Sequence, residues 1–511
     1  MSAIVETRAG AWRGRREGRV LVYRGLRYGE PPVGEGRLRD SRPAMPHAGV
    51  RDAFEFGRAS YQRSGYPRAI QKLAGFADIG TGEDCLFLNV TTPSVDDGRQ
   101  RPVFVWIHGG GFNQGSSGLF LYHAHDLATR GDAVVVTLNY RLGLLGAWPG
   151  REGEGLDANP GLSDQMLALE WVRDHIAAFG GDPTNVTLFG QSAGAMSVAT
   201  LLAAPRARGL FHRVILQSGA ADNVSAPGRR ELIFEHLAKA LSLDTAGDLG
   251  AQMRNRDVHE LLAAQEKVVA ECKLPLGQLC WSPGLGTVSL PDSAFDVIAR
   301  GDVADVPILV GHNLDEWRMF TATDAKRRNI DEATLHAYVE RTFADAPDPA
   351  ARRREVLAAF ELDPDTGERR SPSEQWVALQ TARVFAKPAL DLADAHAAKG
   401  GAVWSYRFDW RPRLLRDRLG ACHAMEIPFV FGSHGHRTMW PIVGAWPSAR
   451  ALSRRMQDAW IAFARGDAPE TDDIRDWPRH AGKSPISLRF DRSDALAEGL
   501  GETERAVLAD G

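Results

Sequence analysis

This chain of 511 residues has few of the features that indicate particular classes of function. It has only four cysteines (Cys85, Cys272, Cys280 and Cys422), too few for a disulfide framework in a chain of this length, so we expect reduced thiols. The formal net charge is only −4, and the arginines, which far outnumber the lysines, are scattered among acidic residues. This balance does not suggest a nucleic acid or an anionic membrane as a partner.

Long hydrophobic segments are also missing. No run of eighteen apolar residues occurs, so no membrane-spanning helix is predicted. Residues 1–8 lack the basic start and apolar block of a signal peptide, and we therefore expect a cytoplasmic location. There is no internal repeat, low-complexity tract or obvious linker, so we predict that residues 1–511 form a single α/β unit.

Short apolar runs alternate with helical patterns through the first two-thirds of the chain. Near-continuous apolar runs are typical of parallel strands covered on both faces, and they occur at 103–107, 134–138, 186–189 and 214–216, with later examples at 307–310 and 403–406. Residues 10–28 alternate and are rich in turns, which predicts an antiparallel hairpin at a sheet edge.

Helices are predicted between and after these strands. The spacing of apolar residues predicts a helix over 164–179, with Asp164 in its first turn and Gly180-Gly181 at its end. Residues 226–275 and 322–400 contain charged helical patterns without strand runs. We interpret these two segments as insertions that cap the sheet and shape the entrance to a site.

The most informative segment is the pentapeptide Gly190-Gln191-Ser192-Ala193-Gly194. A β-branched and aromatic run precedes it and a helix-compatible run follows, which is the strand, tight turn and helix of a nucleophile elbow. The turn is so sharp that the residues two before and two after the serine must be small, and both are glycine. The Ser192 hydroxyl is therefore a candidate nucleophile at the carboxyl end of a strand.

A serine nucleophile needs a histidine base, which is in turn oriented by a carboxylate. On this type of sheet the acid and then the histidine follow the serine in chain order. Asp315 and Glu316 lie just after the predicted strand at 307–310, and either could be the acid. Spacing does not choose among the six later histidines, at positions 336, 396, 423, 434, 436 and 480.

The segment His108-Gly109-Gly110-Gly111-Phe112 directly follows a predicted buried strand. Consecutive glycines let backbone N–H groups approach an oxygen closely, and esterases and lipases use this pattern as an oxyanion hole. A flexible turn is the alternative, and we regard it as weaker. Phosphate binding is not indicated, because no P-loop lysine follows and no G-x-G-x-x-G spacing precedes a helix.

These features, with longer matches along the chain, resemble the type-B carboxylesterases, a family that includes para-nitrobenzyl esterases, animal carboxylesterases and cholinesterases. The resemblance runs nearly end to end and implies an α/β-hydrolase fold, with a mostly parallel sheet flanked by helices and helical insertions over an active-site gorge. It is carried by Tyr23-Arg24-Gly25-Leu26-Arg27-Tyr28, Glu83-Asp84-Cys85-Leu86-Phe87-Leu88-Asn89-Val90, Asn139-Tyr140-Arg141-Leu142-Gly143, Phe179-Gly180-Gly181-Asp182-Pro183 and Gln217-Ser218-Gly219.

The resemblance also implies which residues act. The family acid maps to Glu316, with Asp315 as its neighbour, and the family base maps to His423 in a His-x-x-Glu-x-x-Phe-Val-Phe-Gly stretch. The oxyanion donors correspond to the N–H groups of Gly110, Gly111 and Ala193. The resemblance implies that Ser218 lies near the triad without belonging to it. Alternatively, its hydroxyl is buried only to form hydrogen bonds with backbone groups.

Two departures from the family pattern stand out. Trp317 replaces the glycine that follows the acid. It either narrows the acyl pocket or packs under the acid loop, and we favour packing. The segment Ser60-Tyr61-Gln62 lacks the cysteine that pairs with the family residue matching Cys85, so Cys85 is expected to be free.

We therefore predict a serine carboxylesterase that acts on a small-molecule ester through an acyl-enzyme on Ser192, with neither a metal nor a cofactor. The same triad would serve amides, carbamates or thioesters, and this alternative stays open. A non-catalytic binding member of the fold is a further alternative, which the complete set of catalytic residues disfavours. Monomer and homodimer are both compatible with the sequence.

Overall fold

A computed structural model describes residues 2–63, 80–153, 155–413, 415–440, 442–444, 446–481 and 486–509. Its main feature is a large mixed sheet with the strand order β1-β2-β3-β7-β9-β8-β10-β11-β12-β13-β14-β15, and β4 pairs separately with β2. A two-stranded sheet, β5-β6, lies apart. The strands are β1 Ser2–Thr7, β2 Gly10–Glu17, β3 Val20–Arg27, β4 Val50–Asp52, β5 Ala59–Ser60, β6 Thr81–Gly82, β7 Phe87–Thr92, β8 Arg101–Ile107, β9 Val134–Leu138, β10 Gly181–Gln191, β11 Arg213–Gln217, β12 Ile308–Asn313, β13 Val403–Phe408, β14 Ile486–Phe490 and β15 Ala495–Glu498.

The middle of the sheet, from β9 to β14, is parallel throughout. The edges are antiparallel, with β1, β2, β3 and β7 on one side and β15 on the other, except that β4 runs parallel to β2. The sequence prediction of parallel strands with an antiparallel hairpin at the edge is confirmed. Because parallel strands share one direction, their carboxyl ends form a single rim, where the loops after β8, β10, β11 and β12 begin.

Alternate residues of the central strands point into two different cores. On β8, Val103, Val105 and Ile107 belong to one apolar cluster, whereas Phe104 and Trp106 belong to the cluster on the other face. The period of two in side-chain direction explains this division. It also explains the continuous apolar runs, since both faces of these strands are covered by helices.

Helices flank the sheet, and the two segments interpreted as insertions contain helices and no strand. The α-helices of the described residues are His125–Gly131, Pro160–His175, Ala193–Ala203, Pro227–Leu241, Leu249–Arg254, Val258–Glu271, Ala294–Arg300, Arg318–Thr321, Ala325–Arg328, Glu332–Thr342, Pro349–Ala359, Pro372–Thr381, Lys387–Ala397, Arg416–Leu419, Ile427–Phe431, Pro447–Arg465 and Glu502–Val507. A π-helical turn, Ala382–Ala386, joins two of them.

One helix boundary was wrongly predicted. The helix expected to begin near Asp164 starts at Pro160, so Asp164 lies beyond its first turn. Proline suits the first helical position because its missing N–H would have no partner there. Asp164 instead forms a buried ion pair with Arg141, with 2.8 Å between Asp164 Oδ2 and Arg141 Nε and 2.7 Å between Oδ1 and Nη2. The chain leaves this segment through Gly180, which has φ +79°.

Candidate active site

The predicted elbow forms at the junction of β10 and the helix Ala193–Ala203. Ser192 lies between them with φ 57° and ψ −129°, a strained backbone conformation for a residue with a side chain. A side chain at Gly194 would overlap the carbonyl oxygen of Ile107, and one at Gly190 would lie 2.5 Å from the Gly194 backbone. Both glycines are therefore required by close backbone approach, and Ser192 is partly exposed at the rim.

The glycine-rich loop after β8 lies directly beside the elbow. A side-chain carbon at Gly109 would lie 3.0 Å from Ser192 Cβ, and Gly110 and Gly111 have φ +119° and +63°. Among the hydrogen bonds of the described residues, none uses the N–H of Gly110 or Gly111. Ala193 is the first residue of its helix, so its N–H has no partner within the helix. All three N–H groups are thus free to bind an oxygen.

His423 and Glu316 are in direct contact although 107 residues separate them in the chain. The distance between His423 Nδ1 and Glu316 Oε2 is 2.6 Å, and the backbone N–H of His423 donates to the Glu316 carbonyl oxygen at 3.3 Å. Both side chains are buried. A hydrogen bond from Nδ1–H to a carboxylate leaves Nε2 as the atom that can accept a proton.

Gln191 connects the elbow that carries the nucleophile candidate to the base candidate. Among the described residues, Ser192 Oγ has no hydrogen bond to His423. The amide nitrogen of Gln191, the residue before Ser192, lies 3.1 Å from His423 Nε2. Catalytic hydrogen bonds are often long or absent without substrate and form in the complex. The side chain adjacent to the nucleophile nevertheless reaches the imidazole.

Asp315, which precedes Glu316, and Ser218 make different contacts. The Asp315 carboxylate accepts hydrogen bonds from Arg411 Nε at 3.0 Å, Arg318 Nε at 3.2 Å and the N–H of Ala421 at 2.9 Å. Although burial opposes it, the two arginines hold the pKa of Asp315 below its ordinary value. Ser218 follows β11 with φ 53°, and its buried hydroxyl has no hydrogen-bond partner among the described residues.

The other late histidines make contacts elsewhere. His480 Nε2 lies 2.6 Å from Asp394, and His396 Nε2 lies 2.9 Å from the Val306 carbonyl oxygen. His436 Nδ1 contacts the Thr438 hydroxyl and the ring of His434 stacks on Phe429, while His336 is exposed on a helix. Of the six histidines, His423 is the one whose ring contacts both a carboxylate after β12 and the residue preceding Ser192.

Aromatic side chains form one wall around His423. The ring centroids of Phe385 and Phe320 lie 4.8 and 5.5 Å from that of His423. Trp317 contacts Phe320 at 4.8 Å, and its backbone N–H donates to Thr381 Oγ1 at 3.2 Å. Its ring packs against the helical cluster that contains Trp376. These contacts agree with the packing interpretation of Trp317.

Sequence reasoning missed three residues around the His423–Glu316 pair, of which Gln191 and Asn313 contact it directly. Gln191 was noted only as part of the elbow, although its amide reaches the imidazole. Asn313 donates its backbone N–H to Glu316 Oε1 at 2.7 Å. Glu426 is fully buried three residues after His423. The signal for Glu426 was present, because the motif that identified His423 contains this glutamate.

Other kinds of site were also sought within the described ranges. No group of three or more histidine, cysteine or acidic side chains is arranged there to hold a metal ion. None of the described helices is both long and apolar enough to cross a membrane. All four cysteines are unpaired, and Cys85 is buried.

Comparison with known proteins identifies close similarities along almost the whole chain. Residues 1–507 match the family model described as the carboxylesterase family. The chain is 34% identical over 503 residues to the para-nitrobenzyl esterase of Bacillus subtilis, which covers 98% of this chain and 97% of that protein. It is also 34% identical to the phenmedipham hydrolase of Pseudarthrobacter oxydans, over 95% of this chain and 94% of that protein.

Solved structures of carboxylesterases also match this chain over almost its whole length. A carboxylesterase from Geobacillus stearothermophilus superposes with a TM-score of 0.84 at 32% identity and covers 99% of both chains. A thermophilic para-nitrobenzyl esterase superposes with a TM-score of 0.85 at 31% identity. The α/β-hydrolase fold predicted from the sequence is therefore confirmed.

Proposed function

Because the chain belongs to the carboxylesterase family and is a carboxylic-ester hydrolase, we propose that Ser192, His423 and Glu316 form its catalytic triad. The observation that carries this proposal is the 2.6 Å contact between buried His423 and Glu316, beside the strained turn of Ser192. The relatives support ester hydrolysis, and neither the alternative of amide, carbamate or thioester hydrolysis nor a non-catalytic role is favoured by them.

In the proposed mechanism, Ser192 Oγ attacks the acyl carbon of a small-molecule ester while its proton passes to His423 Nε2. Glu316 stabilises the resulting imidazolium through Nδ1–H. The tetrahedral intermediate collapses when the imidazolium gives its proton to the leaving alcohol, which leaves an acyl group on Ser192. Water, deprotonated by the same imidazole, then hydrolyses the acyl-enzyme and releases the acid.

The negative oxygen of both tetrahedral intermediates would be bound by the N–H groups of Gly110, Gly111 and Ala193. Two arguments support this assignment: the loop lies beside Ser192, and none of the three N–H groups has a hydrogen-bond partner in the described fold. Preorganised donors of this kind act where charge develops, and each contributes about 3 kcal/mol to transition-state stabilisation.

Replacement of the nucleophile tests the assignment. Removing a triad serine typically lowers kcat by about 10⁶-fold, so Ser192→Ala should abolish turnover of p-nitrophenyl acetate. Ser197→Ala is a matched control, because Ser197 lies on the following helix and its hydroxyl accepts a hydrogen bond from Gln165. That variant should keep most of its rate. Full activity in Ser192→Ala would overturn the triad.

We also propose the domain organisation, the cellular location and the assembly of the protein. The helical segments at 226–275 and 322–400 are proposed to cap the gorge within a single catalytic unit. Four unpaired cysteines suit a reducing compartment and support a cytoplasmic location, which cell fractionation would test. The assembly is a monomer or a homodimer, and light scattering of the purified protein would distinguish them.

A further inference from the structure

A second buried carboxyl group lies beside the proposed triad. Glu426 comes three residues after His423, immediately before the helix Ile427–Phe431. Its two oxygens accept hydrogen bonds from neutral amides: Asn313 Nδ2 donates to Oε2 at 2.7 Å, and Gln217 Nε2 donates to Oε1 at 3.1 Å. Gln217 is itself held by the indole N–H of Trp460 at 3.2 Å.

Asn313 connects this carboxyl group to the triad. Its backbone N–H donates to Glu316 Oε1 at 2.7 Å, and its side-chain amide donates both to Glu426 and, at 2.8 Å, to the carbonyl oxygen of Cys422. One buried residue therefore holds the acid Glu316, the turn that carries His423 and the carboxyl group of Glu426. A change at Glu426 would be transmitted to the imidazole through Asn313.

The charges around Glu426 do not favour a second carboxylate. The titratable groups that face it are Glu316, His423, Tyr406 on β13 and Cys422. No arginine or lysine nitrogen of the described residues lies within 4.0 Å of its oxygens. Burial, followed by the charge of Glu316, raises the pKa of Glu426 to about 7. Two neighbouring buried carboxyl groups do not both ionise readily.

We propose that Glu426 is a positioning residue that acts as a neutral carboxylic acid. It holds Asn313 and the His423 turn in place and leaves Glu316 as the single negative charge next to the imidazole. The buried hydroxyl of Tyr406, which lies in the electrostatic field of Glu426, has no hydrogen-bond partner among the described residues. This inference rests on the proposed triad, because it assigns Glu426 a role in supporting His423.

The activity test compares two substitutions at the same position. Glu426→Gln keeps the shape and is always neutral, so its kcat/KM at pH 6 should stay close to that of the parent. Glu426→Leu removes the acceptor of Asn313, and kcat should fall by more than tenfold, with a smaller change in KM. Above pH 7 the parent gains a charge that stabilises the imidazolium, so the ratio of parent to Glu426→Gln activity should rise there. A glutamine variant as slow as the leucine variant at pH 6 would overturn the proposal.

A second measurement does not depend on catalysis. It compares the melting temperatures of Ser192→Ala and Ser192→Ala/Glu426→Gln between pH 5 and pH 8. Only the protein with Glu426 loses stability as the pH rises from the unfolded to the folded pKa of this carboxyl group. The double variant should therefore become the more stable one, and the difference should grow from pH 5 and level off above about pH 7. A difference in melting temperature between the two variants that does not change with pH would overturn the proposal that Glu426 is neutral. If Ser192→Ala remained active, the triad would fail while this measurement still reported on Glu426.

Discussion

The choice between two adjacent carboxyl groups, Glu316 and Asp315, gives the sharpest test of the site. Glu316→Gln removes the charge but keeps the size of the side chain. A glutamine amide that donates to His423 Nδ1 also forces the proton onto Nε2, where it blocks transfer from Ser192. Asp315→Asn removes a neighbouring charge whose partners are Arg411, Arg318 and the N–H of Ala421, and not the imidazole.

The expected loss can be estimated from the geometry. At 2.6 Å between Glu316 Oε2 and His423 Nδ1, and with an effective dielectric constant of about 20, a carboxylate stabilises an imidazolium by about 6 kcal/mol. Since about 1.4 kcal/mol corresponds to tenfold, this is a loss of between about four and five orders of magnitude in kcat. The same exchange in a Ser-His-Asp enzyme lowers kcat by about 10⁴-fold, in agreement with the estimate.

The assay is kcat/KM on p-nitrophenyl acetate for both variants, with circular dichroism to show that each is folded. Glu316→Gln should lose about 10⁴-fold, whereas Asp315→Asn should lose less than about tenfold, or 1.4 kcal/mol. Asp315→Asn should instead lower the denaturant midpoint, because it removes the buried negative charge that Arg411 and Arg318 bind. A folded Asp315→Asn variant that loses as much activity as Glu316→Gln would refute the assignment of Glu316.

Three further predictions concern stability and the elbow. Asp164→Asn should lower the free energy of unfolding by about 3–5 kcal/mol in a denaturant titration, because it leaves the buried guanidinium of Arg141 without its partner. Gly194→Ala should yield inactive or insoluble protein, since its Cβ would overlap the carbonyl oxygen of Ile107, and active soluble protein would contradict the elbow geometry. Glu426, with a pKa raised from 4.5 to about 7, contributes stability that is complete below pH 4.5 and lost as the pH rises through 7. The free energy of unfolding should fall by about 3 kcal/mol from this group over that interval, and Glu426→Gln should remove this decrease in unfolding titrations at several pH values.

Much of the fold could be read from local pattern. Apolar runs such as Val103–Ile107 predicted strands covered on both faces, because a strand that alternates its side chains between two cores must be apolar throughout. The elbow at Ser192 and the loop at Gly109–Gly111 were predicted for a related reason. Their conformations depend on which residues lack a side chain, and this is a local property of the sequence.

The partners of each side chain depended on tertiary structure. Spacing left Asp315 and Glu316 equivalent and six histidines open, and only the family resemblance selected Glu316 and His423. In the fold, Glu316 points to the imidazole and Asp315 to two arginines. Asp164, predicted to lie in the first turn of its helix, is held by Arg141 in the interior.

The physical reason is the same in each case. A sequence determines which segments can be strands, sharp turns or helices, because burial and steric freedom act over a few residues. The contacts of Glu316, Asn313 and Glu426 join segments more than 100 residues apart. They are decided by how β12 and the His423 turn meet at the rim of the sheet, so only the folded chain shows that Asn313 joins two buried carboxyl groups, one of which holds the imidazole.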